Sequence, residues 1–180
     1  GNFVDSHHIL LLLVHYLHKY KGMDGKVIVT FSVCSKLEKI CKLYGLPFQV
    51  TKIGFKYVCE IMVNENVLTG GEESGGISVT GHVPERDGIF IGLVLFEYMA
   101  KTGKKLTELI QEVYEVVGAF SVQRYDLHIT QAQKESIIAK CQAGGYATFG
   151  KYKVQSVQDL DGFKFILSDD SWVMIPPSGT

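Results

Sequence analysis

The run Lys26-Val27-Ile28-Val29-Thr30-Phe31 limits the possible folds of this chain more than any other feature. Its apolar and β-branched residues follow one another without alternation, which is typical of a strand that is covered on both faces in a parallel sheet. Parallel strands need long crossover connections, and these are usually helices. We therefore predict an α/β layered βαβ domain with a mixed or parallel sheet around this run.

Helical patterns surround the run as the prediction requires. A first helix is predicted from Asp5 or Ser6 to about Tyr20, because a capping residue precedes a broad apolar stripe. Ser35 and Glu38 have the spacing of a capping box, which predicts the start of a second helix. The further predicted elements are a strand over 48–51, a helix from 54, a strand over 66–69 and helices from 87 and from 107.

The helix that Asp87 caps is strongly apolar. Ile89, Leu93 and Phe96 recur in it at helical spacing. We predict that these three side chains form its buried face.

The pattern changes after Gly118. Ala119 to Ile129 alternates as an antiparallel strand does, and Thr130 with Gln133 forms a second capping box. Three short strands are predicted to follow this helix over 152–157, 162–167 and 172–175. We therefore predict two domains, an α/β domain over 1–118 and a smaller, truncated α+β domain over 119–180.

Composition excludes several function classes. The 180 residues carry a net charge of −1, so no basic field would attract nucleic acid or an anionic membrane surface. The apolar run 9–17 is too short to cross a bilayer. Four cysteines without metal-ligand spacing indicate reduced thiols in a cytoplasmic protein. His8 and His15 have suitable helical spacing, but no further ligand completes a metal site with them, so no metal is predicted in this chain.

Residues 70–76 form the most polar cluster, with two carboxylates and a hydroxyl between four glycines. Carboxylates accept hydrogen bonds and a serine hydroxyl both donates and accepts, so this set suits the neighbouring hydroxyls of a sugar ring. Glycine allows the backbone to approach a ligand closely. A solvated turn with incidental acidic residues is the alternative that these residues leave open.

A wider series of motifs identifies a family. The elements Gly54-Phe55-Lys56, 70–76, Arg86-Asp87-Gly88 and Pro177-Ser178-Gly179-Thr180 occur in this order. The series resembles the C-terminal half of the α-D-phosphohexomutases, the family of phosphoglucomutases and phosphomannomutases. The resemblance covers the third domain of the family, whose loop contacts the sugar, and part of the fourth, whose loop contacts a phosphate.

The resemblance implies roles for five residues in substrate binding. Glu72 and Ser74 match the positions that contact the sugar, and Glu73 between them is a weaker candidate. Lys56 matches the active-site lysine, which pairs with phosphate or a ring oxygen, and Lys52 is a second candidate cation. A solvated Lys56 in a first helical turn would oppose the helix dipole, which favours the functional interpretation.

The end of the chain and Arg86 complete the interpretation of the site. Ser178, Gly179 and Thr180 match the start of the phosphate-binding loop, while Pro176 stands where the family has an arginine. Arg86 is interpreted as a structural or domain-interface residue.

The resemblance also implies a reaction. Hexose 1-phosphate and hexose 6-phosphate would interconvert through a phosphoserine and a bisphosphorylated sugar, with Mg²⁺ and an activator of the glucose 1,6-bisphosphate type. The phosphoserine loop and the acidic metal loop are not in this chain, so we expect missing N-terminal domains of the same polypeptide to supply them and the fragment to be inactive. A non-catalytic module that binds sugar phosphates is the alternative. A nucleotide-binding loop is disfavoured, since residues 70–76 lack the lysine of a P-loop.

Overall fold

A computed structural model describes residues 3–176, which form two compact units that divide between Val122 and Gln123. The helices are α1 Ser6–His15, α2 Lys36–Tyr44, α3 Phe55–Asn64, α4 Gly88–Thr102, α5 Leu106–Val117 and α6 Gln131–Gln142. The strands are β1 Lys26–Thr30, β2 Phe48–Thr51, β3 Val67–Gly71, β4 Ile77–Val79, β5 Thr148–Phe149, β6 Tyr152–Gln158, β7 Phe163–Leu167 and β8 Trp172–Ile175. The predicted class, an α/β unit followed by a smaller α+β unit, is confirmed.

The sheet of the first unit has the order β2-β1-β3-β4, so the predicted central strand lies between two others. Strands β2 and β3 run parallel to β1, and β4 runs antiparallel to β3. The sheet is therefore mixed, with an antiparallel strand at one edge. Val27 and Ile28 of β1 have no exposed surface, as expected for a strand that is covered on both faces.

Gly70 and Gly71 belong to β3, so the prediction that both are loop residues is wrong. A Cβ atom on Gly70 would lie 2.5 Å from a methyl group of Val58 in α3, and one on Gly71 would lie 2.8 Å from a methyl group of Leu10 in α1. Neighbouring residues of a strand point to opposite faces. Helices α1 and α3 therefore cover the two faces of the sheet, and each packs directly on the backbone of β3.

Helix α1 begins where the sequence predicts. Asp5 caps it and accepts a hydrogen bond from the backbone N–H of His8 over 3.0 Å. The helix continues as a π-helical segment over Tyr16–Tyr20. Seven of the ten residues of α1 are buried, so this helix forms much of the core of the first unit.

The buried end of α1 contains a polar cluster. His15 has no exposed surface and lies between two partners, with Nδ1 2.5 Å from the hydroxyl of Tyr44 and Nε2 3.6 Å from the carboxylate of Glu112. Tyr20 donates a hydrogen bond to the same carboxylate over 2.7 Å. Burial lowers the pKa of His15 to about 4, and the positive charge of Lys19 acts in the same direction.

Helix α4 turns a different face inward than the sequence predicts. Ile89, Leu93 and Phe96 are 81%, 58% and 67% exposed, so the prediction that they face the core is wrong. The buried residues of α4 are Ile91, Val94 and Tyr98. Because this helix is apolar on nearly every side, the spacing of its apolar residues does not determine which face packs inward.

The second unit is an antiparallel sheet of order β5-β6-β7-β8 with one helix, α6. Its buried core consists of Cys141, Phe165 and Leu167. Residues 118–130 have no regular secondary structure, so the strand predicted over 119–129 is wrong. Tyr125 and Leu127 of that segment are exposed, and the segment pairs with no strand among residues 3–176.

The two predicted capping boxes have different outcomes. Thr130 accepts a hydrogen bond from the backbone N–H of Gln133, whose side chain accepts one from Thr130, so this box is confirmed. Ser35 has the α-helical angles φ −64° and ψ −12°, and its side chain makes no capping bond within residues 3–176. A capping residue normally has extended angles, so the box predicted at Ser35 and Glu38 is wrong.

Candidate functional site

The loop between β3 and β4 is a tight turn over residues 72–76. The backbone N–H of Glu72 donates to the carbonyl of Gly76 over 2.9 Å, and that of Gly75 donates to the carbonyl of Glu72 over 3.2 Å. Gly75 has a φ of 103°, which favours glycine. Two hydrogen bonds and one left-handed glycine thus fix the shape of the turn that carries Glu73 and Ser74.

The loop lies at the carboxyl edge of the sheet, where the parallel strands β1 and β3 both end. In open α/β sheets ligands bind outside this edge. The start of α1 is next to the loop, because a Cβ atom on Gly75 would lie 3.6 Å from the hydroxyl oxygen of Ser6. The position of the loop is therefore that of a ligand site.

Glu73 points towards the end of β1. Its Oε2 atom accepts hydrogen bonds from the hydroxyls of Ser32 and of Thr30, the latter over 3.4 Å. Both hydroxyl residues are buried. Glu73 thus attaches the loop to the sheet, and no local pattern indicates this contact because Ser32 lies 41 residues away.

Glu72 is buried, with 7% of its surface exposed. Its carboxylate rests against the backbone of Gly76, where a Cβ atom would lie 2.8 Å from Oε1. The same oxygen lies 3.8 Å from Nη1 of Arg86. Gly76 therefore supplies the space for the carboxylate, and Arg86 supplies an opposite charge.

Arg86 was interpreted from the sequence as a structural or domain-interface residue, and its contact with Glu72 was not predicted. Its guanidinium carbon lies 5.6 Å from the centre of the Phe55 ring, and its side chain is 60% exposed. The motif around Arg86 is evident in the sequence, but only the capping role of Asp87 follows from it. A close contact with Glu72 depends on the path of the chain after β4, which no local pattern reveals.

The segment before α4 is held by Asp87. One carboxylate oxygen accepts the backbone N–H of Ile89 and that of Phe90, and the other accepts a hydrogen bond from Nε2 of His82 over 2.9 Å. The ring of His82 stacks on Phe90 with centroids 4.0 Å apart. The N–H of Phe90 and then His82 are the main causes that lower the pKa of Asp87. The backbone next to Arg86 is thereby fixed.

The remaining predicted substrate residues are exposed. Ser74 lies at the tip of the turn, and Lys52 follows β2. Lys56 lies in the first turn of α3, with Nζ 4.9 Å from the centre of the Tyr57 ring. The cation that the structure brings to Glu72 is Arg86.

The predicted phosphate-binding residues Ser178, Gly179 and Thr180 lie outside the described residues. Pro176, which takes the place of the family arginine, is exposed after the end of β8.

Residues 3–176 contain neither a cluster of metal ligands nor a helix that could span a membrane. In this range no three histidine, cysteine, aspartate or glutamate side chains converge so as to hold a metal ion. None of the helices in the same range has the length and apolarity needed to span a bilayer.

A family model and many relatives match this chain, and two of the relatives illustrate the likeness. The model described as "Phosphoglucomutase/phosphomannomutase, alpha/beta/alpha domain III" matches residues 5–117. A phosphoglucomutase/phosphomannomutase of Thermococcus kodakarensis is 29% identical over 180 residues, which is 100% of this chain and 37% of that protein. A phosphoglucosamine mutase of Rubrobacter xylanophilus is 36% identical over 119 residues, 65% of this chain and 27% of that protein. The chain thus spans roughly a third of these relatives.

Many solved structures resemble this one, and two of them illustrate the likeness. A protein from Thermus thermophilus, assigned as a phosphomannomutase, superposes with a TM-score of 0.76 at 30% identity, over 94% of this chain and 34% of that one. The open form of the Paramecium phosphoprotein pp63/parafusin, described as a phosphoglucomutase, gives 0.74 at 18% identity, over 94% and 33%. The second likeness concerns the fold alone.

Proposed function

Because the chain belongs to the phosphoglucomutase/phosphomannomutase family, we propose that it is the part of a phosphohexomutase that binds the sugar of a hexose phosphate. The whole polypeptide interconverts hexose 1-phosphate and hexose 6-phosphate through a phosphoserine and a bisphosphorylated sugar. It is an isomerase that acts by phosphoryl transfer. Residues 1–118 form its sugar-binding domain, and 119–180 form part of its phosphate-binding domain.

The observation that carries this proposal is the position and shape of the turn 72–76. It carries the carboxylates of Glu72 and Glu73 and the exposed hydroxyl of Ser74 at the edge of the sheet where ligands of α/β domains bind. Two internal hydrogen bonds close the turn, and Glu73 attaches it to β1. Such a turn holds its polar groups in place before a ligand arrives, which lowers the cost of ordering them on binding.

The chemistry of the turn suits a substrate that binds in two orientations. In the proposed reaction the sugar turns over between two phosphoryl transfers, so the same hydroxyls must be held whichever end faces the phosphoserine. Glu72 accepts hydrogen bonds from sugar hydroxyls, and Ser74 both donates and accepts. Neither role depends on the direction of the sugar.

The cations and the second carboxylate have supporting roles. Lys56 pairs with a phosphate or ring oxygen, since its flexible stem carries a compact charge that reaches from the first turn of α3. Lys52 is a second, weaker candidate for the same role. Glu73 supports sugar binding by attaching the turn to β1 through Oε2. Its other oxygen, Oε1, is a weaker candidate for a direct contact with the sugar. Ser178, Gly179 and Thr180 contact the phosphate that is not transferred, with hydroxyls and backbone N–H groups.

The phosphoryl transfer itself belongs to other parts of the polypeptide. Mg²⁺ would stabilise the charge of the transferring phosphoryl group, and an activator of the glucose 1,6-bisphosphate type would load the serine. The donor groups needed to hold the metal are not gathered among residues 3–176. We therefore assign to this chain only the holding of the sugar and of one phosphate, in a cytoplasmic enzyme.

The test is made in the complete polypeptide with Glu72→Ala and Ser74→Ala. Each change removes hydrogen bonds to sugar hydroxyls, so we expect kcat/KM to fall by about 5- to 150-fold, or about 1–3 kcal/mol. The measurement is steady-state conversion of hexose 1-phosphate. Glu115→Ala and Ser136→Ala are matched controls, since both residues are exposed on helices and neither belongs to the turn 72–76. Parental kcat/KM in both loop variants, with the fold intact, would contradict the role of the turn.

The lysines are compared in the same assay. Lys56→Met is expected to lower kcat/KM more than Lys52→Met. Only Lys56 lies in the element Gly54-Phe55-Lys56, which resembles the active-site lysine element of the family. The opposite ranking moves the role to Lys52.

The 180-residue chain alone is expected to be inactive. It is incubated with Mg²⁺, glucose 1-phosphate and glucose 1,6-bisphosphate, and formation of glucose 6-phosphate is followed. Turnover that persists through extensive purification would show that the chemistry resides in this chain. An inactive complete polypeptide that still binds hexose phosphates would instead favour a non-catalytic binding module.

A further inference from the structure

Arg86 is held in place by its neighbours on both sides. Asp87 caps α4 and also accepts a hydrogen bond from His82, and its own backbone N–H donates to the carbonyl of Ile77 in β4 over 3.3 Å. The backbone N–H of Arg86 donates to Oε1 of Glu85 over 2.8 Å. The residue thus projects from a fixed backbone, although its side chain is exposed.

The guanidinium group contacts two elements of the candidate site at once. Its carbon lies 5.6 Å from the centre of the Phe55 ring, and Nη1 lies 3.8 Å from Oε1 of Glu72. A planar guanidinium can stack on an aromatic face while its edge N–H groups point to a carboxylate, which an ammonium group cannot do. Arg86 therefore joins the turn 72–76 to the start of α3, which also carries Lys56.

Glu72 needs such a partner to keep one orientation. A buried carboxylate is costly unless an opposite charge or hydrogen-bond donors face it. The space against Gly76 admits the carboxylate but offers no side chain to hold it. An acceptor binds a sugar hydroxyl well only when its direction is fixed before the sugar arrives.

We propose that Arg86 is a positioning residue, which holds the carboxylate of Glu72 in the direction in which it accepts hydrogen bonds from the sugar. Arg86 acts through Glu72 and not on the substrate. The proposal rests on the sugar-binding function proposed for the turn and identifies the residue on which the geometry of that turn depends. Because Phe55 supports the guanidinium, the proposal also links the sugar-binding turn to the first turn of α3.

A double-mutant cycle in the complete polypeptide tests this proposal. The variants are Glu72→Gln, Arg86→Met and the two combined, measured in kcat/KM for hexose 1-phosphate and in its dissociation constant by calorimetry. We expect Arg86→Met alone to lower kcat/KM about tenfold, and to add less than about twofold when Glu72 is already glutamine. Arg86→Lys keeps the charge but loses the planar guanidinium, so we expect an intermediate loss of about threefold.

The control is Arg124→Met, which removes an exposed arginine paired to Asp126 over 2.9 Å. We expect this variant to stay within about twofold of the parent. Thermal unfolding of every variant separates misfolding from a local effect, and Arg86→Lys keeps the cycle usable if Arg86→Met does not fold. In a crystal structure of the Arg86→Met variant, the carboxylate of Glu72 is expected to leave its position against Gly76.

The outcomes separate this proposal from the function on which it rests. A loss in Glu72→Gln and no loss in Arg86→Met would overturn the positioning role while the sugar-binding role stands. Losses that multiply in the double variant would also overturn it, since Arg86 would then act without Glu72. No loss in Glu72→Gln, in either turnover or calorimetry, would overturn the proposed function of the turn itself. If no variant turns over substrate but the dissociation constants show the expected coupling between Glu72→Gln and Arg86→Met, the positioning role of Arg86 is supported. Only the proposed enzymatic activity is then contradicted.

Discussion

The first unit buries a core on both faces of its sheet, whereas the fully buried apolar core of the second unit, within residues 3–176, has three side chains between one sheet and one helix. In the first, α1 alone contributes a run of buried residues from Leu10 to Val14. In the second, α6 contributes only Cys141, which packs with Phe165 and Leu167. Both units have well-formed helices and strands, so secondary structure alone says little about how firmly each is held.

The difference shows what burial adds to local structure. Helix α6 has a complete capping box, yet eight of its twelve residues are exposed. Most of the stability of a helix in a protein comes from packing of its apolar face. We therefore expect the two units to unfold separately, the second at lower free energy. Trp172, the one tryptophan of the sequence, lies in β8 and reports on the second unit. Far-UV circular dichroism reports mainly on the helices of the first.

The largest expected effect is that of Phe165→Ala. Phe165 has no exposed surface and lies at the centre of the small core, so its truncation is expected to cost about 3–5 kcal/mol. That loss is enough to unfold the second unit and leave the first folded. The measurement is urea unfolding followed by Trp172 fluorescence and by far-UV circular dichroism. Val157→Ala on the adjacent strand is the control, because Val157 is half-exposed and its loss should cost less than about 0.5 kcal/mol. Simultaneous loss of both signals in Phe165→Ala would show that the units are not independent.

The next effect concerns acid and the first unit. The pKa of His15 is about 4 in the folded chain and 6.5 in the unfolded chain, so between these values the unfolded state binds more protons. The stability that the neutral His15 contributes is therefore complete above about pH 6.5 and is lost as the pH falls towards 4, by up to about 3 kcal/mol. Glu112, which would favour the charged form, and Lys19, which opposes it, both face this ring, with the hydroxyl of Tyr44 at Nδ1.

The measurement is urea unfolding by circular dichroism at several values between about pH 7.5 and about pH 4.5, a range that brackets most of this titration, compared with His15→Gln. We expect the variant to show a shallower fall in stability over this range. His128→Gln is the control, since His128 is exposed in the second unit. An unchanged slope in His15→Gln would mean that other groups cause the acid sensitivity.

Hydrogen exchange compares the units without any substitution. We expect amides of β1 to be protected at least about 30-fold more than those of β7, a difference of about 2 kcal/mol in opening free energy. Both strands are central in their sheets, so position in the sheet is matched. Equal protection would remove the contrast on which the other predictions are built.

The smallest effect distinguishes the two predicted capping boxes. Thr130→Ala removes a side chain that accepts a backbone hydrogen bond, and is expected to cost the second unit about 1 kcal/mol. Ser35→Ala removes no such bond and is expected to change the first unit by less than about 0.5 kcal/mol. Urea midpoints by fluorescence and by circular dichroism measure the two changes. A larger loss in Ser35→Ala than in Thr130→Ala would reverse the assignment of the caps.

Element positions were predictable from the sequence where a local signal marks them. Asp5 before an apolar stripe indicates the start of α1, and the β-branched run indicates β1 to within one residue. Gly45 and Gly103 end α2 and α4 in left-handed conformations, as glycine commonly does. These signals concern the backbone of a few neighbouring residues, which is why a single sequence reveals them.

The pairing of strands and the contacts between distant side chains were not predictable in the same way. The alternation over 119–129 resembles a strand, but a strand also requires a partner, and local residues do not supply one. At the candidate site, the sequence predicts that Glu72 contacts the sugar and gives Glu73 as a weaker candidate for the same role. The structure separates them, because Glu73 meets hydroxyls at the end of β1 and Glu72 meets Arg86. Both contacts join residues that are distant in the sequence.

The two glycines of β3 have a consequence for how this domain tolerates evolutionary change. At Gly70 and Gly71 the helices on both faces rest on main chain through the side chains of Val58 and Leu10, so no side chain of β3 adds to the distance between these layers. Elsewhere in the core, substitutions that enlarge or shrink a side chain shift the neighbouring layer. The turn 72–76 leaves the sheet directly from these glycines, so at its base Val58 and Leu10 are the side chains that hold the helices against the strand. We expect homologous sequences to vary their core residues widely and still present this turn at the same place.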